Sequence, residues 1–124
     1  MLCIHGAVKT FEKGLMHEQE VLNSIADMMM ETYVSESLLL RVAKLENMKG
    51  DISVYRDILD VNFYDTAGAV RKSAGDAIYS FASDDKASAL IKAAETLTHI
   101  RGINVKNARR RIADKLIEDN YYKF

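Results

Sequence analysis

The chain contains no proline and no tryptophan, and only one cysteine among its 124 residues. An average sequence of this length carries about six prolines at the usual ~5%. Proline removes a backbone donor and clashes with the preceding turn, so its absence fits long, uninterrupted helices. A single cysteine, Cys3, excludes an internal disulfide and any all-cysteine metal site. Glycine is sparse too: six residues, dispersed, with no Gly-x-Gly, which excludes a glycine-rich phosphate loop. Neither sign of charge is in excess, with 17 basic and 18 acidic residues. A phosphate-binding domain normally shows a basic surplus, so composition offers no general case for nucleic acid. No apolar run reaches the roughly 20 residues of a membrane-spanning helix. The densest, Leu38 to Leu40, is cut by Arg41. The start, Met1-Leu2-Cys3-Ile4-His5-Gly6, lacks the positive and then apolar regions of a secretion signal. These absences predict a soluble, cytoplasmic protein. Hydrophobic residues at 48% can build a core, and the length suits a single domain over residues 1–124.

Four punctuation points divide the chain into helical stretches. Gly14 closes a short first segment in which Ile4, Val8 and Phe11 recur at helical spacing. A second segment runs from about His17 to Asn47, with Leu22, Ile25, Met29, Tyr33, Leu38, Val42 and Leu45 as its inward stripe. Early acids (Glu18, Glu20) and late bases (Lys44, Lys49) complement its dipole, and Gly50 supplies a left-handed stop. Asp51 or Ser53 can cap a third helix marked by Ile52, Tyr55, Leu59, Phe63, Val70, Ala74, Ile78 and Phe81. Its small residues Ala67-Gly68-Ala69 predict a closely approaching neighbour, and Gly75 is a candidate break. Ser83 is a suitable cap for a fourth helix carrying Ala87, Leu90, Ala94 and Leu97, ended by Gly102. Asn104 can cap a fifth, striped by Val105, Ala108, Ile112 and Leu116, and the aromatic tail Asn120 to Phe124 is expected to dock. The expected burial includes Leu22, Ile25, Tyr33, Leu59, Phe63, Leu90, Leu97 and Ile112. No stretch alternates long enough for a strand. The fold class is therefore an all-α, antiparallel helical bundle of about five segments.

Chemistry-bearing residues do not converge. His5, His17 and His99 fall in three different segments, and the nearest thing to a ligand pair, Glu95 with His99, is unrepeated. A di-iron bundle needs Glu-x-x-His pairs on facing helices, so no metal site is expected. Cys3 has no activating base nearby in sequence. Tyrosines and the pair Asp84-Asp85 are accounted for by packing and capping. Catalytic, cofactor-binding and metal residues are thus all expected to be absent from this segment. The run Arg109-Arg110-Arg111, with Lys106 and Lys115, spreads around its helix as solvated side chains do. Met28-Met29-Met30 cannot all share one helix face, so at least one should be exposed or meet a partner.

The stretch from Leu15 to Tyr33 resembles the extra C-terminal domain of the very-long-chain type acyl-CoA dehydrogenases. There a basic helix ends at a glycine and a long helix opens with an Asn-Glu-Gln-like start. A leucine follows, then an Ile/Leu-Ala-Asp triplet and a later aromatic. Gly14, Glu18-Gln19, Leu22, Ile25-Ala26-Asp27 and Tyr33 fit that pattern, with His17 in place of the usual asparagine. Leu38-Leu39-Leu40-Arg41-Val42-Ala43 fits as well, and Asn107 to Ala113 is similar to the family's last helix, more loosely. The resemblance covers roughly residues 4 to 48 specifically. It implies an excised, non-catalytic piece of an enzyme that oxidises acyl-CoA to trans-2-enoyl-CoA with FAD, both bound elsewhere in the parent. Its implied partners are the enzyme's own catalytic domains, with a homodimer as the assembly. An independent helical interaction module is the alternative, and an upstream flavin-binding dehydrogenase in the same reading frame discriminates the two.

Overall fold

The computed structural model describes residues 1–48 and 51–121. It is 87% helical and, among the described residues, has no strand. Five α-helices form it: α1 (Leu2–Phe11), α2 (Gln19–Met48), α3 (Ser53–Phe81), α4 (Asp84–Leu97) and α5 (Val105–Asp119). The expected all-α bundle is what the chain builds. A 3-10 segment, Glu12–His17, joins α1 to α2. Gly14 lies inside that segment and does not stop α1. The chain turns instead at Glu12, whose φ of 46° and ψ of −119° leave the helical region. α3 runs through Gly75 without a break. α4 ends before Gly102, at Leu97, where the Thr98 hydroxyl donates to the Ala94 carbonyl at 2.8 Å. Lys49, Gly50 and the last three residues of the aromatic tail, with what was expected of each, lie outside the described residues; Tyr121 is exposed.

The helices fall into two compact units. One comprises Met1–Thr32 and Ala67–His99. Its buried set is Cys3, Ala7, Val21, Ile25, Ala74, Ala77, Ile78, Ala87 and Ala94. Five of these nine are alanine, so the helix backbones approach closely and pack on methyl groups. The expected close approach on α3 thus occurs at Ala74 and Ala77, not at Gly68. A Cβ added at Gly68 meets nothing within 4 Å. At Gly6 the reverse holds: the Phe81 ring fills the space, with its Cζ 2.6 Å from an added Cβ. The inward side of α2 here is Val21, Ile25 and Met28: Ile25 is buried as expected, while Val21 and Met28 take the places expected of Leu22 and Met29. Leu22 and Met29 follow the same period on the adjacent, exposed side. Both stripes are apolar, so periodicity alone could not choose between them.

The other unit comprises Tyr33–Thr66 and Ile100–Phe124. Val42, Ile52 and Ala108 are its buried apolar residues, and Ser35 is buried with them. Ser35 Oγ lies 2.9 Å from Asn62 Oδ1 and 3.0 Å from Thr66 Oγ1. Donating to the amide oxygen leaves its lone pairs for the threonine hydroxyl, so burial strands no polar atom. This small network ties α2 to α3 at a fixed register. Tyr33 was expected inside, yet it is 72% exposed; Leu97, in the first unit, is 76% exposed. Leu59, Phe63, Leu90 and Ile112 are half-buried.

Candidate functional site

The histidines stay apart. His5 belongs to α1, His17 ends the 3-10 segment and His99 follows α4, and all three are exposed. Among the described residues, no group of three His, Cys, Asp or Glu side chains is placed to hold a metal ion. Cys3, which has no activating base nearby in sequence, is a core residue of α1. Burial pushes its thiol up from the ordinary value, and the nearby terminal amine offsets this in part. A raised thiol pKa keeps the thiolate scarce, which is the opposite of an activated nucleophile.

The N-termini of α2, α4 and α5 carry acids or a side-chain cap. Asp84 and Asp85 fill the first turn of α4, and Glu20 lies in that of α2. Their carboxylates complement the positive end of each dipole and repel an incoming phosphate. At α5 the cap is Asn104, whose side chain accepts from the Asn107 amide at 3.1 Å. Ahead of α3, Asp51 Oδ1 accepts from the Ser53 amide at 3.0 Å. That hydrogen bond, with a smaller contribution from the Lys115 cation, holds the Asp51 carboxyl below its ordinary value.

The arginine run proves more organised than a solvated face. Arg109 Nη2 donates to both carboxylate oxygens of Asp65, at 2.8 and 3.0 Å. Arg111 forms a fork on Asp57, with Nε at 2.8 Å from one oxygen and Nη2 at 2.5 Å from the other. Arg110 between them is exposed. Asp57 and Asp65 lie about fifty residues earlier, so sequence alone does not pair these bases with their acids. Of the three methionines, Met28 packs against the core while Met29 and Met30 are exposed. The described surface offers apolar and ionic contact.

The family model for the acyl-CoA dehydrogenase C-terminal domain matches residues 1–96. The chain belongs to that family. Searches of curated proteins and of solved structures returned no match. The matched range covers α1 to the last turn of α4 and leaves α5 outside. An acyl-CoA dehydrogenase C-terminal domain is a helical, non-catalytic part of an oxidoreductase, and membership implies FAD and catalytic domains in the parent. A flavin pyrophosphate is cradled by clustered glycines over free backbone amides. The glycines here are isolated: Gly6 is filled by Phe81, while Gly14, Gly68 and Gly102 stand open on separate parts of the chain. Among the described residues no helix is long and apolar enough to cross a membrane.

Proposed function

We propose that residues 1–124 form the non-catalytic C-terminal domain of an FAD-dependent acyl-CoA dehydrogenase of the very-long-chain type, a cytoplasmic enzyme that converts acyl-CoA to trans-2-enoyl-CoA. The domain packs on the catalytic domains of its own polypeptide and limits assembly to a homodimer. The observation that carries this reading is the family match, supported by the large apolar side chains left outside on α2. Met29 and Met30 in one unit, and Tyr33, Val34 and Leu40 in the other, are all exposed. Side chains of that size left in water suit a surface covered by another body.

The experiment begins with the reading frame upstream. Expressed as one polypeptide, it should give a yellow flavoprotein that oxidises long acyl-CoA thioesters, whereas the isolated chain should be colourless. In the intact enzyme, Met29→Lys with Met30→Lys should loosen the domain, read as faster proteolytic release at unchanged FAD content. An upstream frame without a flavin-binding dehydrogenase removes the parent and, with it, the proposal.

A further inference from the structure

Two ion pairs described between α5 and α3 share one polarity, cationic on α5 and anionic on α3. Arg109 pairs with Asp65, and Arg111 with Asp57 while also feeling Asp60. Lys115 pairs within α5 instead, with Glu118 and Asp119, each at 3.1 Å. The higher number on α5 meets the lower number on α3, so the two pairs run antiparallel and sit within one turn of α5. The Arg109–Asp65 pair is open to solvent, its side chains 56% and 55% exposed, while in the Arg111–Asp57 pair the arginine is 58% exposed and the aspartate 13%. The apolar hold beside it is slight. Ala108 is the one fully buried residue of α5, Val105, Ile112 and Leu116 are half-buried, and Ile117 points to water. A single exposed ion pair is worth little, but a set of same-sense pairs with forked geometry adds up. Exposed pairs also lose strength with salt, because the screening length falls from ~10 Å at 0.1 M to ~3 Å at 1 M. α5 further lies beyond the residues that the family match covers.

We propose that α5 is a charge-latched helix, which detaches from α3 as ionic strength rises while α1 and α4 stay folded. Apolar docking responds to salt in the opposite sense or not at all, which makes the two readings separable.

Hydrogen exchange of the purified 124-residue chain, resolved by peptide, tests this at low and at molar sodium chloride. In wild type, α5 amides should exchange on the order of tenfold faster at high salt, with α1 and α4 unchanged. Arg109→Gln with Arg111→Gln should show the same fast α5 exchange already at low salt. The exchanged pair, Asp65→Arg with Arg109→Asp, should recover the low-salt protection of α5. Exchange in α5 that ignores salt overturns the proposal. So does salt-driven acceleration that the glutamine variant fails to reproduce, or acceleration of α4 in step with α5, which marks global unfolding.

Discussion

Glu12 adopts a conformation that a side chain makes costly. At φ 46° its Cβ crowds the backbone, and residues so placed carry on the order of 1–3 kcal/mol of strain. Glycine has no Cβ, so Glu12→Gly should raise stability by about 1 kcal/mol despite its greater chain entropy. Urea denaturation of both proteins checks this, and a loss of stability would show that the carboxylate makes an offsetting contact. Gly6 and Gly68 separate propensity from packing. Both are helical, and glycine costs ~1 kcal/mol against alanine in a helix interior. Gly68→Ala finds open space and should stabilise by about 0.5–1 kcal/mol. Gly6→Ala drives a methyl into the Phe81 ring and should destabilise by roughly 1–3 kcal/mol. The opposite signs are the test: thermal melts that move the same way for both would refute the packing account at Gly6.

At the scale of elements, the helix starts were the most readable feature of the sequence. Asn104 caps α5 as expected and Asp51 accepts the amide of Ser53, whereas Ser83 takes the N-cap position of α4 without a side-chain hydrogen bond. Such short-range chemistry is written in adjacent residues. Phase was harder to read, because Val21-Ile25-Met28 and Leu22-Met29 offer α2 two apolar sides of the same period. Tertiary contact decided between them, and Tyr33 went outside as a result. The partners of the arginines were unreadable for a related reason: pairing Arg111 with Asp57 requires knowing that α5 returns along α3. Asp51 supplies a pH prediction. Its carboxyl is held below the ordinary 3.8 by the Ser53 amide, so its contribution is present above that value. The contribution fades as pH falls through the lower folded value. Melting temperatures of wild type and Asp51→Ala should therefore differ near neutrality and converge in acid. A gap that stays constant down through the carboxylate range would remove the hydrogen bond from the account. Asn104→Ala should cost about 1 kcal/mol through the freed Asn107 amide, read in the same melts at neutral pH.

For the whole molecule, the balance between buried and exposed apolar residues matters most. Much of the buried set is alanine, while methionine, tyrosine and leucine side chains on α2 remain in water. A small core of this kind relies on the few large residues it does bury. Ile78 is the largest side chain buried completely, and Ile78→Ala should cost ~2–5 kcal/mol. The exposed set has the converse consequence. Monomeric proteins rarely leave contiguous apolar patches beyond roughly 300–600 Å² uncovered. If α2 normally meets a catalytic body, the isolated chain must satisfy that surface by other means, and a two-fold dimer is the simplest closed arrangement. Sedimentation of the purified chain at high concentration should therefore show self-association. Met29→Lys and Met30→Lys replace an apolar contact with a hydrated cation on the same side chain scaffold, and like charges then face each other across a two-fold axis. Both variants should shift the chain to monomer while leaving its helical circular dichroism intact. Arg110→Gln, an exposed change away from α2, should leave the association unaltered. Wild type that stays monomeric under these conditions would mean that water covers the exposed side of α2 at little cost, and the proposed packing surface would have to be sought elsewhere on the domain.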